Sequence, residues 1–193
     1  SAGTFPSSLE LLNLSFNVLG ELPPLAFAAN LRLRWLHLRA AGLQKLQQDC
    51  FLNLTALQGL DLASNALLDA EATFDELEQL RFLDLSQNLL TQLRPETFTG
   101  LETLEWLDLA QNRLEAVSFG SFGAQLAVLN LSSNQLGELC PETFQNASHL
   151  LTLDLSFNPL GWLPAGVFQG LASLETLDLS RTRLARLADT GHA

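Results

Sequence analysis

The sequence is poor in the groups that do chemistry. Its three histidines are His37, His149 and His192. They lie far apart, and none has metal-ligand spacing with a cysteine or carboxylate, so no metal site is expected. Gly-rich phosphate loops and serine-centred nucleophile elbows are missing, which removes common routes to phosphoryl and acyl transfer, and no cofactor is expected. Positive charge is scarce as well. Ten Lys and Arg against 21 Asp and Glu leave a formal net charge of −11, which repels bare nucleic acid and anionic membrane surfaces. No apolar run reaches the roughly 18 residues that cross a bilayer, so no direct membrane contact is expected from this segment. No linker or low-complexity tract interrupts the chain. With 47% hydrophobic and 16% charged residues, the composition suits one continuous core, expected to span residues 1–193 as a single domain.

What is present is a register. The pattern LxxLxLxxNxL starts at Leu9, Leu33, Leu57, Leu80, Leu104, Leu126, Leu150 and Leu174, at intervals of 24, 24, 23, 24, 22, 24 and 24. Within "LRFLDLSQNLLTQLRPETFTGL", Leu83 and Leu85 fall on one face of a short strand and Asp84 on the other. The expected fold is therefore an α/β leucine-rich repeat solenoid. It is a curved horseshoe fragment with a parallel β-sheet on the concave face and loops with short 3-10 or helical turns on the convex face.

Two further columns follow from the spacing. Asn17, Asn65, Asn88, Asn112, Asn134 and Asn158 share one slot, where a side-chain amide can satisfy turn backbone, so an asparagine ladder is expected. Ala41 and Thr182 interrupt it, and looser turns are expected there. Phe27, Phe51, Phe74, Phe98, Phe122, Phe144 and Phe168 recur after the strands and should stack as a spine beneath the convex side.

The opening residues "SAGTFPSSL" read as the tail of a preceding repeat and the closing "LARLADTGHA" stops inside an eighth, so the chain is expected to be a segment of a longer protein. Polar caps for the core cross-section are not evident. Cys50 and Cys140 sit four repeats apart, at least roughly 19 Å at about 4.8 Å per strand, too far for a mutual disulfide. Either both fill the convex side as small hydrophobes, or one or both bond to another chain.

The segments "LDLSQNLLTQL", "LDLAQNRLEAV", "LNLSSNQLGEL" and "LDLSFNPLGWLPAGVFQGL" resemble the typical repeats of Toll-like receptor ectodomains and related cell-surface and matrix proteins, over residues 5 to 188. The resemblance implies a non-enzymatic, extracellular, N-glycosylated protein, at the cell surface or secreted, that binds other macromolecules. It departs from the family pattern in lacking the cysteine clusters that close both ends. Sequons occur at Asn13, Asn53, Asn130 and Asn146. Asn53 and Asn146 follow spine phenylalanines on the outer flank and are the expected glycan sites. Asn13 and Asn130 occupy the outward strand position, where a glycan would block the concave face.

Strand alternation sends a mostly acidic stripe outward: Asn13, His37, Asp61, Asp84, Asp108, Asn130, Asp154 and Asp178. Aspartate at this slot either bonds neighbouring hydroxyls such as those of Ser86, Ser156 and Ser180 or touches a ligand. Stacked like charges should raise some of these pKa values. Calcium is not expected, because one carboxylate per strand lacks the dense oxygen cage that ion prefers. A catalytic carboxylate pair such as Asp61 and Asp84 would stand on an open sheet with nothing to exclude water. Trp35, Phe82 and Trp106 precede the central residue, and Phe16 and Phe157 follow it. Exposed aromatics of this kind anchor protein interfaces. Trp35 lies beside Arg34, His37 and Arg39, which form the one cationic cluster expected on this acidic face. The expected ligand-binding set is Arg34, Trp35, His37, Arg39, Phe82, Asp84, Trp106, Asp108 and Phe157, facing a protein with a basic patch, with a ligand-driven homodimer as one expected state. The leading expectation is a segment of an innate-immune receptor. The alternatives are a growth-factor or latent-cytokine tether using unpaired cysteines and a collagen-binding matrix protein.

Overall fold

The computed structural model describes residues 4–70, 74–98, 100–117 and 122–185. His192 and the rest of 186–193 lie outside them. Eight three-residue strands form one parallel sheet: β1 (Leu11–Asn13), β3 (Trp35–His37), β5 (Gly59–Asp61), β6 (Phe82–Asp84), β7 (Trp106–Asp108), β8 (Val128–Asn130), β9 (Thr152–Asp154) and β10 (Thr176–Asp178). Each pairs with the strand of the next repeat in register, Leu83 opposite Leu60 and Leu107. A second, two-stranded sheet joins β2 (Glu21–Leu22) to β4 (Lys45–Leu46). Among the described residues the only helix is a 3-10 turn at Pro95–Phe98; the remaining connections are turns and loops.

The strands are short because the chain turns sharply three residues after each one ends. The residue preceding the ladder slot adopts a left-handed conformation in every repeat: Phe16, Ala40, Ser64, Gln87, Gln111, Ser133, Phe157 and Arg181, at φ of 50 to 60°. None is glycine, and such a conformation costs about 1 kcal/mol for an L-residue. The asparagine ladder offsets this cost. Asn112 donates to the carbonyls of Leu85 in the preceding repeat (2.9 Å) and Leu109 in its own (3.0 Å) and accepts the Leu90 amide (3.1 Å). Asn65, Asn88, Asn134 and Asn158 repeat the pattern. Among the described residues, Asn17 bonds only to Leu14 and Ser15 of its own turn. At the two interruptions, backbone bonds make the link between repeats, and at Thr182 the hydroxyl still donates to the Leu179 carbonyl of its own turn (2.6 Å). The Leu19 amide donates to the Ala41 carbonyl (2.9 Å) and the Gly161 amide to the Thr182 carbonyl (3.1 Å), so each slot still joins its neighbours.

Inside, the leucine column is sealed from β3 to β9: Leu36, Leu60, Leu83, Leu107, Leu129 and Leu153 are all 0% exposed, whereas Leu12 on β1 is partly buried and Leu177 on β10 is exposed. The phenylalanines stack beneath the convex turns as expected, Phe51 on Phe74 on Phe98 at 6.3 Å between centroids and Phe122 on Phe144 on Phe168 at 6.0 and 6.2 Å. Phe5 extends the spine by stacking on Phe27.

Candidate interaction surface

With the leucines turned inward, each strand turns its first and third residues to the open face, where all but Gly59, which is buried, reach solvent. In-register pairing aligns the first residues as Leu11, Trp35, Gly59, Phe82, Trp106, Val128, Thr152 and Thr176. The large rings therefore gather on β3, β6 and β7. Phe82 and Trp106, on adjacent strands, stack with centroids 4.1 Å apart and planes 6° from parallel. Trp35 reaches Phe82 across the strand between them, at 6.0 Å and 47°. Gly59 makes that reach possible: a β-carbon there would lie 2.1 Å from Cε3 and Cζ3 of Trp35. A side chain at Gly59 and the observed Trp35 position exclude each other. The result is one aromatic cluster, with Trp35 37% exposed and Phe82 and Trp106 half-buried. Reading the sequence column by column would have revealed Gly59, a glycine between two rings.

The cationic cluster expected around Trp35 is partly neutralised. Arg34 pairs with Glu10 at 3.9 Å, and His37 faces Asp61 at 3.7 Å while stacking on Trp35 at 6.1 Å. Arg39 is half-buried with no ion pair among the described residues. A pair not foreseen, Arg81 with Glu105 at 2.7 Å, borders the cluster beside Phe82 and Trp106. Both partners are more than half exposed, so its contribution to stability is small.

The acidic stripe is held by backbone. Asp61, Asp84, Asp108, Asp154 and Asp178 each accept the amide two residues on, as do Asn13 and Asn130. The expectation of bonds to serine hydroxyls is thus corrected for Asp84 and Asp154, whose partners are the amides of Ser86 and Ser156. Asp178 engages both the amide and the hydroxyl of Ser180, which hold its carboxyl below the usual range. One carboxylate oxygen per residue is committed to the turn, which explains why Asp or Asn fills this slot. Asp108 is pushed the other way. Burial beside the aromatic cluster raises its pKa, with Asp84 and Asp154 adding repulsion, against the Ala110 amide and the Asn130 side chain.

Phe157 does not join the cluster. It stands at the left-handed turn after β9, 55% exposed, under the Arg181 guanidinium at 5.7 Å. Phe16 occupies the matching turn of the first repeat, 77% exposed. The spacing puts both on strand flanks, but the left-handed turn carries them to the sheet's edge.

The two cysteines part company. Cys140 is exposed, whereas Cys50 is fully buried and desolvation pushes its thiol up to about 12. An intermolecular disulfide through Cys50 is corrected accordingly, because a buried, protonated thiol neither meets a partner nor attacks one. Of the sequons, Asn53 and Asn146 are exposed on the convex side. The amide nitrogen of Asn130 donates to Asp108 at 3.2 Å. Asn13 is exposed on β1. Among the described residues no group of three or more His, Cys, Asp or Glu could hold a metal ion, and no helix is long and apolar enough to cross a membrane.

Family models described as leucine-rich repeats match residues 31–90, 83–123 and 124–184, and a further one residues 8–30. A leucine-rich repeat protein of Leptospira interrogans superposes with a TM-score of 0.81 at 29% identity, over 91% of this chain and 44% of that one. Drosophila Toll, in its glycosylated complex with Spätzle, superposes at 0.79 with 28% identity, over 88% of this chain and 24% of that one. Human 5T4, the trophoblast glycoprotein, gives 0.72 at 27% identity, over 91% and 71%. The chain spans less than half the length of the first two. No curated protein sequence matches it.

Proposed function

Since the chain belongs to the leucine-rich repeat family, we propose that it is a non-enzymatic, extracellular protein-recognition module, and within that class a ligand-binding segment of a Toll-like cell-surface receptor. The observation that carries this reading is the cluster of Trp35, Phe82 and Trp106 left on the open face of the sheet. Nothing in the fold requires large rings there: the same column holds Thr152 and Thr176 on β9 and β10. Rings stacked on one another form a rigid apolar platform that loses little conformational freedom on binding, the property of interface anchors. Asp84 and Asp108 lie beside it, Asp84 with one oxygen left over from its turn and Asp108 with its second oxygen taking only the Asn130 amide, and they favour a partner with a basic patch. The Toll structure, which holds Toll bound to the protein Spätzle, supports a protein ligand by analogy.

The test is a screen of purified secreted and cell-surface proteins against the immobilised chain by surface plasmon resonance. A genuine partner loses affinity by about 2 kcal/mol or more with Phe82→Ala and Trp106→Ala combined. Affinity unchanged by that pair of substitutions would sink the reading. A second reading, a tether that holds a cytokine through a disulfide, draws on the exposed Cys140. It requires that thiol to be blocked in material purified without reductant.

A further inference from the structure

We propose that a second site, of opposite charge to the aromatic platform, lies in the cleft at the turn edge of the last three repeats and takes a carboxylate-bearing segment of a protein partner. The cleft is open, offers about 710 Å³ and is walled by Gln135, Phe157, Pro159, Arg181 and Arg183, with no carboxylate in its lining among the described residues. Its floor is Asn134 and Asn158, whose amide groups are spent in the ladder. The outward-facing polar groups are therefore two guanidinium forks and one side-chain amide.

Charge makes the site unusual. The chain carries a net charge of −11, and elsewhere Arg34 and Arg81 have acquired acidic neighbours. Neither Arg181 nor Arg183 has an ion pair among the described residues, although both are exposed. Arg181 is also positioned: its guanidinium sits 5.7 Å from the centre of the Phe157 ring. A ring that holds a guanidinium by its face leaves the N–H edge free, and that edge matches a carboxylate in a two-pronged bond. Phe157, exposed at a cost in solvation, acquires a purpose here that the platform does not give it.

The site's extent selects among anions. A sulfated polysaccharide or nucleic acid needs a long basic stripe. Along this edge the next arginine in the column of Arg183 is Arg113, three strands away or roughly 14 Å, with Gln135 and Pro159 between. Two adjacent forks fit one or two side-chain carboxylates of an acidic loop better than a polymer of charges.

Fluorescence anisotropy with a fluorescein-labelled tetraglutamate peptide at low salt tests this, with a tetraglutamine peptide as the control. Saturable binding of the acidic peptide alone is expected. It should weaken about tenfold in Arg181→Gln with Arg183→Gln, and severalfold in Phe157→Leu. Phe82→Ala with Trp106→Ala should leave it unchanged, which separates this site from the platform. All three cleft positions are exposed, so the variants fold. No saturable binding, binding indifferent to both arginines, or arginine-dependent binding of a heparin oligosaccharide without binding of the peptide would each overturn the assignment.

Discussion

Gly59→Ala is the substitution whose outcome follows most directly from the geometry. The added methyl would meet Cε3 and Cζ3 of Trp35 at 2.1 Å and Cη2 at 2.8 Å, so the indole must swing away from Phe82. Three contributions set the size. Losing the contact between two rings costs about 1 kcal/mol. Re-exposing about 50 Å² of ring at 25 cal/mol per Å² costs about 1.2 kcal/mol. Replacing a strand glycine by alanine returns about 0.7 kcal/mol in backbone entropy. The net loss is about 1.5 kcal/mol, a fall of roughly 3–6 °C in Tm for a chain of this size. Made instead in a Trp35→Ala background, the same substitution meets no ring and should stabilise by the backbone term alone. The sign therefore reverses between backgrounds, with a coupling of about 2 kcal/mol. Thermal and urea unfolding of the four proteins, followed by circular dichroism, measures it. If Gly59→Ala destabilised both backgrounds equally, the glycine would be serving the strand rather than the tryptophan, and the account of the platform would be wrong.

Other substitutions probe the remaining parts. Asn112→Ala would strip partners from buried groups on two repeats, the carbonyls of Leu85 and Leu109 and the Leu90 amide. It should cost about 3 kcal/mol in urea unfolding, whereas Asn17→Ala, confined to exposed local bonds, should cost under about 1 kcal/mol. Asp108 titrates above the ordinary carboxylate value of 3.8 because of its burial, so the native state holds that proton more tightly than the unfolded chain and the group's ionisation opposes folding. The stability of Asp108→Asn relative to the parent should thus grow as pH rises from 3.8 through the raised value and level off above it; a difference independent of pH would refute the assignment. Iodoacetamide in native buffer should modify Cys140 and leave Cys50 intact until denaturant is added, as intact-mass spectrometry will read.

What the sequence made legible was whatever the fold repeats. A leucine one residue out of register would face water, so the inward columns are fixed by period alone, and the strands, the ladder and the spine follow from it. Where a residue departs from the period, its neighbours decide. Gly59 has no meaning until Trp35 and Phe82 are set on either side of it. The left-handed turn before each ladder asparagine left no trace because Phe, Ala, Ser, Gln and Arg all occupy it, and the strain is met by the next residue's amide rather than by a glycine. That same turn takes Phe157 off the strand face on which the spacing alone places it. The cysteines were alike in sequence, and only the depth of their convex loops separates a protonated Cys50 from an accessible Cys140.

The same architecture frees the outward positions for recognition. The leucine columns and asparagine bonds carry the fold, so replacing Trp35, Phe82, Phe157 or Arg181 removes a surface without opening the core. Selection on ligand binding can then act strand by strand, which explains how an acidic aromatic platform centred on β6 and β7 coexists with a cationic cleft at the far end of one sheet. Centre to centre they are some three strands apart, roughly 14 Å, beyond the range at which side-chain substitutions usually couple. A single partner spanning both must itself carry basic and acidic patches at that separation. Its losses of binding free energy from the two sets of substitutions should then add, whereas two separate partners would each respond to one set only.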